Sequence, residues 1–294
     1  MKAVVLARGL GSRMRKEDAS TSLGAGDATL TPAQAAAAAA GAKGMMPIGD
    51  RSTSPGAGPS TSLGTGGRTR PFLDYVLHAL ADGGCTSVCF VVAPDHRAMR
   101  GYYEGAGRPS RLAIDYAVQP IADGTARAVQ SAHSYAGRDP FLVLNSDNLY
   151  PAAIVAALAG LDGPGLPAYD VESLVRESGF PRDRVMGFAA IDVDDRGRLT
   201  RIIEKPGADF FDKAGTRALV SMNVWRFDES IFDACRDVPV SARGEYELPE
   251  AVGVAIAGGV VFQTFPASGA VLDLSRRSDV GLVNARLAGL EPRP

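Results

Sequence analysis

Short, largely apolar runs recur along this chain with segments of helical spacing between them, and that alternation constrains the fold more than any other feature. The runs lie at residues 2–7, 87–93, 112–118, 141–144, 185–193 and 260–265. A run that is apolar throughout, rather than at every second position, is what a strand covered on both faces requires. Within 72–81, Leu73, Val76, Leu77 and Leu80 fall at helical spacing, and 126–135 and 154–161 behave alike. Strands alternating with helices build βαβ units. The expected architecture is therefore α/β, with a doubly wound, mainly parallel, Rossmann-like sheet. Ligands of such sheets collect beyond the carboxyl ends of the strands. The loop after the first run and the turn Asn145-Ser146-Asp147-Asn148 then belong to one crevice.

Two stretches, about 17–42 and 51–70, break the alternation. They are rich in Ala, Gly, Ser, Thr and Pro and share a near-repeat, Ser-Thr-Ser-Leu-Gly-x-Gly, beginning at Ser20 and at Ser60. Two copies are too few for a solenoid, so they read as low-complexity inserts in one domain spanning 1–294. Thr31-Pro32-Ala33-Gln34 has the form of a capping box with proline at the first helical position. With the alanine run to Ala40 and Gly41 as a stop, it predicts a short helix. Residues 52–67 carry no periodicity and are expected to form a mobile surface loop.

A formal net charge of −2 leaves no basic excess for nonspecific nucleic-acid binding. No run approaches the roughly 18 apolar residues of a membrane span, and the few apolar residues before Arg8 are not expected to serve as a signal-peptide core. Cys85, Cys89 and Cys235 leave one thiol over in any disulfide scheme and lack histidines at zinc spacing. They are expected to be buried thiols of a reduced, cytoplasmic protein.

The loop Gly9-Leu10-Gly11-Ser12-Arg13-Met14-Arg15 is informative by what it lacks. Met14 occupies the third glycine position of a dinucleotide fingerprint, and no Gly-Lys-Ser/Thr follows as in a Walker loop. Gly-x-Gly-x-Arg after a strand lets main-chain N–H groups approach an anion while Arg13 forks two phosphate oxygens; a plain turn with solvated charges would carry the same residues. A lysine before an apolar segment, as Lys43 is, is usually a surface residue. Asp147 at a strand's carboxyl end suits a hard cation such as Mg²⁺ or an Asx turn. Gln119, the loop Asp123-Gly124-Thr125, Glu204-Lys205-Pro206 and Asp273 each follow an apolar run.

Taken in order, these elements resemble the sugar-1-phosphate nucleotidyltransferases, the family of glucose-1-phosphate thymidylyl- and uridylyltransferases and mannose-1-phosphate guanylyltransferases. The resemblance runs from Lys2 almost to Leu290, interrupted by the inserts. It is carried by Leu6-Ala-Arg-Gly-Leu-Gly-Ser-Arg-Met, Lys43-Gly-Met-Met-Pro-Ile, Gln119 with Asp123-Gly-Thr-Ala, and Leu144-Asn-Ser-Asp-Asn. Ile203-Glu-Lys-Pro, Ser221-Met-Asn-Val-Trp, Glu245-Tyr-Glu-Leu and Leu272-Asp-Leu complete it, and the first three of these narrow it to sugar phosphates. The resemblance implies that Leu6, Gly9, Gly11 and Arg13 hold the nucleotide, with Arg13 at the departing pyrophosphate and Gln119 and Gly124 at the base. It makes Arg13, Lys43 and Asp147 catalytic and Asp147 with Asp273 the Mg²⁺ ligands. Gly187, Glu204 and Asn223 would contact the sugar, and Lys205 its phosphate. The implied substrates are an NTP, UTP or dTTP favoured, and a hexose 1-phosphate, in a possible homo-oligomer.

The chemistry agrees with that division. A sugar phosphate already carries nucleophilic charge, so bringing two anions together needs positioning and charge neutralisation rather than a general base. Accordingly none of His78, His96 and His133 stands beside a candidate nucleophile. Three positions depart from the family: Arg8 replaces a small residue, Ala42 a proline before the lysine, and Ser275-Arg276 a Gly-Thr. Two other readings stay open: a silent regulatory protein on the same fold, and a transferase for a non-sugar phosphate.

Overall fold

The computed structural model describes every residue except 10, 17–29, 50–68, 208–209 and 212–217. Its strands in the first half are β1 (Lys2–Leu6), β2 (Pro47–Ile48), β3 (Arg70–Pro71), β4 (Ser87–Val92), β5 (Ala113–Val118), β6 (Phe141–Asn145) and β7 (Asn148–Leu149). Then come β8 (Gly165–Asp170), β9 (Ala189–Val193), β10 (Leu199–Ile203), β11 (Leu219–Ser221), β12 (Val224–Phe227), β13 (Gln263–Ala267) and β14 (Leu272–Asp273).

The main sheet runs β10-β9-β11-β8-β12-β6-β1-β4-β5, with β13 beside β8. From β6 through β1 and β4 to β5 every pairing is parallel. Beyond β6 the sheet turns mixed: β12 is antiparallel to β6, and β11 is antiparallel to both β8 and β9. The chain steps from β1 outward to β4 and β5, then returns to β6 on the other side of β1. That reversal leaves a crevice at the carboxyl ends of β1 and β6, where such sheets bind ligands.

β1 is apolar at successive positions because both of its faces are covered. Ala3 and Val5 join one core cluster and Val4 and Leu6 the other. The helix Phe72–Asp82 packs Phe72, Leu73, Val76 and Leu77 into the first. Ala126 and Val129 of the helix Thr125–Ser131, with Leu248 and Val252 of the helix Leu248–Ala257, fill the second.

The short helix expected after Thr31 forms as Pro32–Ala40. Thr31 and Gln34 make the reciprocal capping box, and Gly41 closes it in the left-handed conformation. The expected loop 52–67 and the near-repeat lie outside the described residues. Three expected elements shift. Residues 185–193 are not one strand: Pro181 starts the helical turn Arg182–Val185, as a fixed proline φ favours, and the strand begins at Ala189. The run 260–265 becomes β13 only from Gln263, because the Val260 N–H still closes the preceding helix onto Ala255. The helix expected at 126–135 breaks at Ala132 into two pieces.

Cys85, Cys89 and Cys235 are buried and unpaired, and burial pushes their thiols up to about 11, 12 and 12. Among the described residues no helix is long and apolar enough to cross a membrane.

Candidate active site

A cleft of about 670 Å³ opens at the carboxyl ends of β1, β4, β5 and β6. Eight of the expected residues line it: Leu6, Gly9, Gly11 and Arg13 after β1, Lys43 beyond the helix Pro32–Ala40, Gln119 and Gly124 after β5, and Asp147 after β6.

The glycine loop is shaped by a close approach. Gly11 has φ +63°, and a Cβ there would lie 2.4 Å from the Gly41 carbonyl oxygen. Glycine faces glycine, so the end of the helix Pro32–Ala40 seats directly on the loop. The residues after Gly11 form one helical turn, Ser12–Arg15, whose first N–H groups have no partner within the turn itself.

The same contact carries Lys43 home. The main chain at 44–46 is pinned from the other side: the N–H groups of Leu73 and Phe72 donate to the carbonyls of Gly44 and Met46 at 2.8 and 2.9 Å. Lys43 Nζ then lies 2.7 Å from Asp147 Oδ2, with both side chains mostly buried. The first insert lengthens the path from Arg13 to Lys43 without removing the lysine from the crevice.

Asp147 is joined to the other expected carboxylate through a short ladder. β14 pairs with β7, Asp273 lies opposite Asn148, and the Leu274 N–H donates to the Asp147 carbonyl at 2.8 Å. The Asp273 carboxyl is raised above its ordinary value, first by burial and then by the nearby charge of Asp147. Ser275 Oγ donates to it at 2.5 Å, and Arg184 Nη2 lies 3.0 Å away while also binding Asp279. Among the described residues no group of three or more His, Cys, Asp or Glu gathers as a metal cage. Two converging carboxylates do suit Mg²⁺, which keeps several waters and takes further oxygens from phosphates. The hard oxygen donors and the mutual repulsion fit that ion.

The expected acceptor residues lie outside the cleft lining, beside it. The loop 243–248 links the two regions. The Tyr246 N–H donates to the Asp123 carbonyl at 2.8 Å, and the Tyr246 carbonyl accepts from Ala126 at 2.9 Å. Gly124, with φ +128°, leaves no room for a Cβ against Tyr246. From the same loop Arg243 binds Glu247 and reaches Glu204 at 3.5 Å. Burial, and after it the Glu247 charge, raises the Glu204 carboxyl above its ordinary range. Lys205 at φ +48° and Asn223 at φ +61° are the two described non-glycine residues with positive φ. Such backbone costs on the order of 1–3 kcal/mol and clusters at functional sites. Gly187 follows directly on the turn that carries Arg184.

Several neighbours escaped sequence reasoning. Arg184 lies just ahead of the run 185–193, expected as a strand, and carries no motif of its own, although Pro181 and Asp183 signal a helix start. His96 and Arg97, at the far wall of the cleft, carry no motif. Arg8 was visible as a departure; its Nε donates to the Gln119 carbonyl at 3.1 Å.

A doubly wound sheet whose switch point presents a non-Walker glycine loop to a lysine–aspartate pair defines an α/β nucleotide-handling protein. The chain belongs to the Nucleotidyl transferase family, whose model matches residues 61–288. It is 30% identical over 233 residues to a glucose-1-phosphate thymidylyltransferase of Streptomyces antibioticus, covering 76% of this chain and 60% of that protein. To the low-salt glycan biosynthesis nucleotidyltransferase Agl11 of Haloferax volcanii it is 27% identical over 216 residues, covering 72% and 56%. The chain thus spans a little over half the length of those two relatives. A UDP-glucose pyrophosphorylase crystallised with UDP-glucose superposes with a TM-score of 0.69 at 15% identity, over 97% of each chain. That likeness establishes the fold.

Proposed function

We propose that this protein transfers a nucleotidyl group from an NTP to a sugar 1-phosphate, releasing pyrophosphate. The observation that carries the reading is the 2.7 Å pair of Lys43 and Asp147 in the same cleft as Gly9, Gly11 and Arg13. A cation beside a carboxylate, in one cleft with a phosphate-type loop, is what drawing two anions together requires.

In this reading Gly9, Gly11 and Arg13 hold the triphosphate, Arg13 facing the pyrophosphate that leaves, Leu6 contacts the nucleotide, and Gln119 and Gly124 hold the base. Lys43 neutralises charge at the α-phosphate. Glu204, Asn223 and Gly187 orient the sugar hydroxyls, and Lys205 holds the sugar's phosphate, one oxygen of which attacks the α-phosphorus in line. Asp147 and Asp273 would hold Mg²⁺, which offsets phosphate charge and orients the triphosphate when bound. No histidine lines the reacting region except His96 at the far wall, in keeping with a phosphate nucleophile that needs no general base. UTP or dTTP is the favoured donor and a hexose 1-phosphate the acceptor. The buried, unpaired thiols suit a reducing, cytoplasmic setting.

The reading is tested by incubating the protein with Mg²⁺, a panel of NTPs and a panel of hexose 1-phosphates, and following phosphorus NMR. An NDP-sugar and pyrophosphate in equal amounts are expected from at least one pair. NTP binding without product from any pair would count for the silent regulatory protein instead.

A further inference from the structure

We propose that Arg8 reads the nucleotide base jointly with Gln119, selecting NTPs whose base carries a carbonyl next to a ring N–H. The inference rests on the proposed function and sharpens its substrate class. Uracil, thymine and guanine meet the requirement; cytosine and adenine do not.

Arg8 follows β1 and Gln119 follows β5, with β4 between them in the sheet. Two strand spacings separate those ends, on the order of 9–10 Å. For its Nε to reach the Gln119 carbonyl at 3.1 Å, the arginine side chain must extend across the carboxyl end of β4. It therefore lies along the floor of the cleft, of which Val92 and Ala93 are also part. Its Nη1 and Nη2 have no hydrogen-bond or ion-pair partner among the described residues. A guanidinium held by one nitrogen presents the other two, and it can only donate.

Gln119 supplies the complementary half. Its Nε2 donates to Asp123 Oδ1 at 3.1 Å and to the Gly124 carbonyl at 3.0 Å. Both partners are acceptors, so the amide has one orientation: nitrogen toward the loop, Oε1 away from it. Both amide hydrogens are consumed, and Oε1 is left as an acceptor without a described partner. Gln119 as a whole is 3% exposed, and it lines the cleft, which leaves that oxygen for a ligand there.

The same cleft wall, joined through the Arg8–Gln119 contact, thus carries one acceptor and a set of donors. A ring N–H next to a carbonyl, as in the uracil, thymine and guanine edges, gives a hydrogen to Oε1 and accepts one from Arg8. Cytosine and adenine present the reverse, a ring nitrogen that accepts next to an amino group that donates. Against this pair they leave desolvated groups unmatched, which is how a polar site rejects a close analogue. A small residue at position 8 would leave the donor half missing.

The test uses the full chain and measures Kd for UTP, dTTP, GTP, CTP, ATP and inorganic tripolyphosphate, in wild type, Arg8→Ala and Arg8→Lys. Wild type is expected to favour UTP over CTP, and GTP over ATP, by about tenfold, the scale of a good arginine–base contact. Arg8→Ala should bring both ratios close to one while tripolyphosphate binding stays unchanged, and that unchanged binding also shows the variant folded. Arg8→Lys, which keeps charge but loses the planar fork, should retain only part of the selectivity. Ratios unaltered in Arg8→Ala would overturn the inference, as would an equal loss for all six ligands, which would make Arg8 a phosphate contact. Wild type that binds no nucleotide would overturn the proposed function with it. Selective wild-type binding with an unmoved Arg8→Ala ratio removes Arg8's role alone.

Discussion

Replacing Gly11 by alanine should uncouple the phosphate loop from Lys43. The new Cβ would lie 2.4 Å from the Gly41 carbonyl oxygen, where ordinary contact begins at 3.4 Å, a shortfall of 1.0 Å. All three atoms nearest that Cβ belong to the Gly41 main chain, so no side-chain rotation relieves it. An alanine at φ +63° adds the left-handed penalty of about 1–2 kcal/mol. The cheapest relief is to push the end of the helix Pro32–Ala40 outward, and Lys43, two residues beyond Gly41, moves with it. A misplacement of roughly 1 Å at a reacting centre costs on the order of 10² in rate. Steady-state pyrophosphate release should therefore show kcat/KM down about 100-fold, while thermal unfolding shows a loss of only about 1–2 kcal/mol. A variant that keeps full activity, or one that unfolds outright, would refute the idea that the glycine pair sets the lysine's position.

Asp147→Asn should lower kcat by roughly 10²–10³, because a pre-placed charge is lost where charge must be balanced; turnover within threefold of wild type contradicts the assignment. Arg184→Met strands the buried carboxylates of Asp273 and Asp279 and should cost about 3–5 kcal/mol in denaturant unfolding. The double variant with Asp273→Asn should lose less than the sum of the two singles, and strict additivity would show that the pair is not coupled. Glu204 gives a pH signature. A carboxyl held above its ordinary 4.5 contributes stability that is fully present below the unfolded value and is lost as pH rises through the folded value. The melting temperature of Glu204→Gln relative to wild type should thus climb as pH is raised from about 4 toward 7, and a flat difference across that window would exclude the burial and Glu247 effects.

Most of the parallel half of the sheet was legible because β1, β4 and β6 are buried on both faces and so read as nearly continuous apolar runs, as at Val4, Val5 and 141–144, whereas the edge strand β5 is half-exposed. The helix Pro32–Ala40 was legible because its cap, proline and stop are all local. The mixed half was not, since β11 and β10 are short or half-exposed and their pairing is decided by distant partners. The same division holds for the site. Gly11, Arg13, Lys43 and Asp147 sit at the ends of readable strands and helices and meet in one cleft. The return of Lys43 past the insert depends on a glycine–glycine contact 30 positions apart in sequence, which no local pattern encodes. Arg184 and Arg243 bind carboxylates far along the chain or across a loop, so only the folded arrangement reveals them.

The central claim, attack of a sugar phosphate on the α-phosphorus, is tested most directly by following label from the NTP. An NTP labelled at the α-phosphorus should deliver its label to an NDP-sugar, and one labelled at the γ-phosphorus should deliver it to pyrophosphate, each only when a hexose 1-phosphate is present. Label appearing in inorganic phosphate, or transfer that proceeds equally without the sugar phosphate, would contradict the account.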